Sequence, residues 1–164
     1  MKTISLFGAC MLFMLVTSIQ STAQTTNTVV AYGESITLEA AKKIAASCEA
    51  YAKQKQWTIV VAIVDIGGNL VLLQKMDNTQ LGSIDVSIAK AKTANNFKRP
   101  TKAFDDQLAG GGAALRIFSV PGITAVEGGE PIFSNGKIIG ALGVSGMSPQ
   151  QDGEVVKAGL ANMK

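Results

Sequence analysis

Residues 58–66 read TIVVAIVDI, residues 67–69 read GGN, and residues 70–76 read LVLLQKM. The first run is β-branched and almost wholly apolar, the composition of a strand buried on both faces. Gly67, Gly68 and Asn69 supply the residues that turn a chain back on itself. The second run then returns as a partner strand, so 58–76 is predicted to be a hairpin.

Helical patterns flank this hairpin. Upstream, Leu38, Ala41, Ala45, Cys48 and Ala52 recur at helical spacing, with Lys and Glu on the other face, predicting a helix over 37–54. Downstream, 77–82 is a polar loop, and Ser83 can cap a helix that runs to about Phe97. Pro100 stops it, and 101–108 suggests a short further helix or turn. Asn135-Gly136, between the apolar runs 131–134 and 137–144, is the strongest two-residue hairpin signal in the chain. Gly140 and Gly143 interrupt its second strand, predicting a bulge or a close backbone approach. With Gly146 they are spaced by three, a pattern that lets a helix or a second subunit pack close. Ser148 and Pro149 supply the cap and first position of a last helix, with Val155, Val156 and Leu160 as its buried stripe. Two hairpins with helices before, between and after them predict an α+β domain.

The first residues read differently. Lys2 precedes an apolar run over 4–19, too short for the ~20 residues of a membrane span but suited to a secretory signal. Small residues at 21–23 predict cleavage between Ala23 and Gln24. Residues 1–23 are thus read as a signal peptide, 24–36 as a flexible N-terminal segment, and 37–164 as one domain. This places the protein in the periplasm or outside the cell, with no membrane span after cleavage.

The chain has no histidine. That excludes His-ligated zinc, Ser-His-Asp and Cys-His catalysis, and His-ligated haem from within this chain. The excess of basic over acidic residues is too small to imply a nucleic-acid partner. Cys10 leaves with the signal, and Cys48 falls on the apolar helix face as a small buried hydrophobe. The Gly-Gly-Gly run at 110–112 lacks the phosphate-loop frame and reads as a mobile loop.

Two chemistries remain. Lys90, Lys92, Lys98, Arg99 and Lys102 form the densest basic stretch. It is either a solvated helix face or a cationic rim for a carboxylate-bearing ligand. With Phe97, Pro100 and Phe104 as apolar wall, such a rim suits a flat apolar ligand with acidic tails. The alternative is a cofactor-free acid–base site acting on a small hydroxy acid or aldehyde-like metabolite. Asp65 and Glu127 are its candidate pair, although Asp65 can equally accept turn N–H groups. Glu127 and Glu130 also flank Gly128-Gly129, where they could form a small acidic site.

Several motifs resemble the GlcG/HbpS family of haem-binding proteins, also seen as the C-terminal domain of PduO-type proteins. They are VDIGGNL at 64–70, KMD at 75–77, AKAKTA at 89–94, FKRPT at 97–101, GGEPI at 128–132, IGALGVSG at 139–146 and the Gln151-Asp152 helix start. The resemblance runs from about Leu38 to the C-terminus. It implies a profilin-like, three-layer α/β/α domain with a five-stranded antiparallel sheet, and homo-oligomers. It further implies an exported haem- or tetrapyrrole-binding protein that supports haem degradation or sensing, in some members beside a membrane sensor kinase. Any haem breakdown would draw on the bound iron and an oxidant such as peroxide. The resemblance puts the 97–101 segment nearest the ligand, with Lys90 and Arg99 paired to propionates. Without histidine, Met76 and Thr101 are the candidate axial or nearby ligands. A non-catalytic assembly or signalling module is the alternative.

Overall fold

A computed structural model describes residues 29–161 and Met163. The expected signal peptide lies outside the described residues. No helix among the described residues is long and apolar enough to cross a membrane.

The elements run α1 (Leu38–Lys55), β1 (Val60–Val64), β2 (Leu70–Lys75), α2 (Ser83–Phe97), α3 (Lys102–Ala109), a 3-10 segment (Gly112–Ser119), β3 (Gly129–Ser134), β4 (Lys137–Ser145) and α4 (Pro149–Leu160). Local chemistry sets most boundaries. Thr37 caps α1, and Ser148 and Gln151 form a capping box at α4 behind Pro149. Asn135 (φ 49°) and Gly136 (φ 73°) are both left-handed, as a tight hairpin turn requires. Ser83 is not the cap of α2: it is its first residue, buried, and its hydroxyl accepts from Gln80 and Ser145.

The hairpins join through β1 and β4 into one antiparallel sheet of order β2-β1-β4-β3. All five residues of β1 are buried, as expected of a central strand. Val61, Ile63, Leu142 and Val144 face α1 and α4. Ala62, Val64 and Ala141 face α2. Helices therefore cover both faces of the sheet.

The sheet has four strands, not five. β4 is nine residues long and β1 covers only 141–145 of it. The remaining edge is met by 31–36, through bonds from Ile138 N–H to Ala31 O, Gly33 N–H to Ile138 O and Ile36 N–H to Ile139 O. Only Tyr32 and Ile138 form a bridge, so this segment is anchored without becoming a strand.

The glycine spacing in β4 has a structural cause. Gly129 and Gly143 are cross-strand partners, and both face α2. A Cβ on Gly129 would lie 2.5 Å from the Lys90 carbonyl oxygen, and one on Gly143 would strike the Ser87 oxygen. The pair makes a flat seat on which α2 lies against the sheet backbone. Gly140 and Gly146 instead admit the carbonyls of Val64 and Thr58. The expected irregularity is a register shift opposite Gly140 and Ile138.

Candidate functional site

Lys90, on α2, points inward. Its Nζ donates to Asp152 Oδ2 at 2.8 Å and to the Val144 carbonyl at 3.0 Å, and both side chains are almost fully buried. Gly128 makes room: a Cβ there would lie 2.9 Å from Lys90 Nζ. Burial pushes the Asp152 carboxyl above its ordinary range, opposed by the Lys90 ammonium and the Met147 N–H. The expected pairing of Lys90 with a ligand carboxylate is therefore corrected. Lys90 ties α2 to α4.

Thr101 is also structural. It is fully buried, its Oγ1 accepts the Gly129 N–H at 2.9 Å, and its own N–H donates to the Gly129 carbonyl. Its hydroxyl is not free to ligate a metal. Met76 packs on the α1 and α4 side of the sheet, with its N–H bonded to the Ile59 carbonyl. Thr101 is thus corrected as an axial ligand because backbone pairing occupies it, and Met76 because it lines a different cleft, with Glu49, Lys53 and Gln74, apart from Phe97 and Arg99.

Asp65 belongs to its turn. Oδ1 accepts from the N–H groups of Gly67 and Asn69, both at 2.8 Å. The Asn69 N–H, then its side chain and the Gly67 N–H, hold the carboxyl below its usual range. A carboxylate so engaged is a poor proton acceptor, and nothing brings Glu127 to it. Asp65 and Glu127 as a catalytic pair are corrected.

Three candidates do come together. Lys98 closes α2 in the left-handed conformation, and Pro100 prevents its continuation. The sharp turn brings Phe97 against Phe104 of α3, edge to face, with ring centroids 5.6 Å apart. Arg99 is exposed and stacks on Phe104, its Cζ 5.4 Å from the ring centroid. Arg99 Nε also donates to the Phe97 carbonyl. The result is a cation fixed over an aromatic pair, with its remaining donors free for a carboxylate.

Beside this face, a cleft of about 230 Å³ opens between α3, the start of β3 and α4. Glu127, Glu130, Lys102, Asp106 and Lys157 line it. Burial pushes the Glu130 carboxyl above its usual range; Lys157 draws it back and Glu127 raises it further. The spacing of Glu127 and Glu130 around two glycines was legible in the chain. Their meeting with Lys102 and Lys157 was not.

The match to a family model described as haem degrading protein HbpS-like covers residues 36–161. The chain belongs to the HbpS-like family. An uncharacterized 15.0 kDa protein from Citrobacter freundii is 40% identical over 119 residues, covering 71% of this chain and 84% of the relative. Protein ORFY of Klebsiella pneumoniae superposes with a TM-score of 0.74 at 31% identity, covering 88% of this chain and 96% of ORFY. PduOC, solved as a complex with haem, superposes with a TM-score of 0.70 at 27% identity, covering 77% of this chain and 94% of PduOC. The resemblance read from the motifs thus holds at the level of family and fold.

The residues of this HbpS-like chain fit one part of a haem and not another. Half-buried Phe97 and exposed Arg99, backed by buried Phe104, suit the edge of a porphyrin ring and its carboxylates. Its metal finds no equivalent partner among the described residues. Histidine is absent, and Met76, Met147 and Met163 all pack against the core. Burial pushes the Cys48 thiol up to about 12, which denies it thiolate character. Tyr51 donates to Glu154.

Proposed function

We propose that this chain is an exported, self-assembling protein that binds haem or a related tetrapyrrole through the ring and its carboxylates. The observation that carries the reading is Arg99, held over Phe104 beside Phe97 in a fold similar to that of the PduOC–haem complex. Stacking on half-buried Phe97 and a charge-assisted bond from Arg99 would each favour a flat dicarboxylate, with buried Phe104 backing both.

Cleft size supports the assembly part of this reading. Three surface clefts among the described residues hold about 230 to 290 Å³, below the ~300–1,000 Å³ of sites that enclose a drug-sized ligand. A porphyrin would lie on a face, and a second copy would cover its other side. Leu115, Phe118, Val120 and Val126, all exposed between α3 and β3, offer apolar surface for such a contact. Export rests on Lys2, the apolar run over 4–19 and the small residues before Gln24. The mass of the secreted chain checks it: a mature N-terminus at Gln24 is expected, and a retained Met1 overturns it.

The test of binding is a hemin titration followed by the Soret band, with native mass measured on the same samples. A saturable shift at ~10 μM protein is expected, in line with a micromolar affinity of roughly −8 kcal/mol. Arg99→Ala should weaken binding about tenfold, the loss of ~1.5 kcal/mol from one charged hydrogen bond. No saturable change at that concentration overturns the reading.

A further inference from the structure

Lys98 stands between Phe97 and Arg99, and its backbone is left-handed, with φ 54°. That conformation is costly for a residue other than glycine, and such residues persist where their surroundings hold them. Glycine would reach the same turn freely. A second cost falls beside the first. Asn95 is fully buried, and its Oδ1 is the one buried side-chain oxygen or nitrogen without a hydrogen-bond partner among the described residues. Both costs sit at the end of α2, next to the residues that face the ligand proposed above.

Residues 30–32 supply what holds this turn. Lys98 Nζ donates to the Val30 carbonyl at 2.8 Å and lies over the Tyr32 ring, 4.3 Å from its centroid. The Tyr32 hydroxyl donates to the Asn95 carbonyl at 2.7 Å. That carbonyl also accepts the Lys98 N–H, and the Arg99 N–H donates to the Ala94 carbonyl, both at 3.3 Å. Asn95 Nδ2 donates to the Ile66 carbonyl at 3.0 Å. The N-terminal segment, the β1–β2 turn and the end of α2 therefore meet at Asn95. Lys98 serves this junction rather than a cationic rim, because Val30 and Tyr32 engage its ammonium.

We infer that Tyr32 and Lys98 form a clasp that positions Phe97 and Arg99 for their ligand. The ligand is the tetrapyrrole proposed above, and the clasp rests on that reading for its purpose. Rotation at Lys98 would carry Arg99 away from Phe104 and break the bond from Arg99 Nε to the Phe97 carbonyl. A loosened turn would hold the stacking ring and the cation in register for only part of the time. Apparent affinity falls with the fraction of molecules in the competent arrangement. Tyr32 and Lys98 act through Phe97 and Arg99, so they are positioning residues.

A clasp and a plain anchor differ in what their loss does. In Lys98→Gly the thermal midpoint should change little, because the relieved backbone offsets the lost contacts. Its hemin affinity should nonetheless fall about tenfold, as when the competent turn drops to about a tenth of the population. Tyr32→Phe keeps the ring and loses one hydrogen bond; it should bind less weakly affected than Lys98→Gly, and it serves if that variant does not fold. Lys98→Arg keeps a donor and a cation over the ring and should bind as wild type does. Amide hydrogen exchange on the hemin-free full chain gives a readout that needs no ligand. The Arg99 N–H should exchange faster in Lys98→Gly and Tyr32→Phe, and at the wild-type rate in Lys98→Arg. The clasp is overturned if Lys98→Gly and Tyr32→Phe bind hemin as wild type does, if affinity falls only in step with the thermal midpoint, or if Arg99 exchange is unchanged in both. If the wild-type chain binds no hemin, the tetrapyrrole reading fails, and exchange at Arg99 alone decides whether the clasp holds the turn.

Discussion

Lys90 Nζ lies 2.8 Å from Asp152 Oδ2, and the pair joins α2 on one face of the sheet to α4 on the other. The two residues are 62 positions apart. Gly128 lets the ammonium pass, and the Val144 carbonyl and Met147 N–H take up neighbouring hydrogen-bonding capacity. The most buried charges of the described chain thus hold the layers together.

Breaking one half of this pair strands the other. Lys90→Met should destabilise the fold by about 3–5 kcal/mol, while Lys90→Met with Asp152→Leu recovers most of the loss. Urea unfolding of the two variants decides. A single variant that unfolds at the wild-type midpoint would remove the structural role given to Lys90.

Gly143 tolerates no side chain. An added Cβ would meet the Ser87 oxygen and the Ala91 nitrogen of the α2 backbone, which cannot rotate aside. Gly143→Ala should cost about 3 kcal/mol, the upper end for overpacking. Gly136→Ala, where a Cβ meets open space but φ is 73°, should cost only the ~1 kcal/mol of the strained backbone. Thermal unfolding of both variants checks the order, and equal losses would contradict the seat described for α2.

Asp65 stabilises its turn as an ionised acceptor. Its folded pKa lies below the unfolded value, so its contribution is present above the unfolded pKa and lost as pH falls through the folded one. Asp65→Ala should therefore destabilise by ~1 kcal/mol at neutral pH. The gap from wild type should close below about pH 4, the ordinary Asp range. A gap that stays constant from neutral pH to pH 3 would sink this account.

If the chain grips the ring rather than the metal, the metal should matter little. Metal-free protoporphyrin is expected to bind within about threefold of hemin, a difference under ~0.7 kcal/mol. Fluorescence quenching and Soret titration measure the two affinities. A hundredfold preference for hemin would point to an iron ligand supplied by the protein.

Much of the fold was legible because its signals are local. The apolar run at 58–66, the Asn135-Gly136 turn and the Ser148-Pro149 cap depend on neighbours within a few residues, and each forms the element its chemistry favours. The strand count was not legible: five were expected and four form, because the outcome turns on whether 31–36 reaches enough of the β4 edge to build a ladder.

The candidate site divides along the same line. Phe97, Arg99 and Phe104 meet across one tight turn, so their association is written into a short stretch of chain. Lys90 and Thr101 look like site residues in or near that stretch, yet Asp152 and Gly129 claim them from far along the chain.

By itself the sequence determined the α+β class, the two hairpins, the capped start of the last helix and the absence of any imidazole chemistry. Only the tertiary structure decided which charges are buried, which hydroxyl is spent on backbone and which acidic and basic side chains share a cleft. The physical reason is range. Periodicity, capping and turn geometry act between residues close in the chain, whereas burial and charge pairing depend on what the folded layers bring beside a side chain.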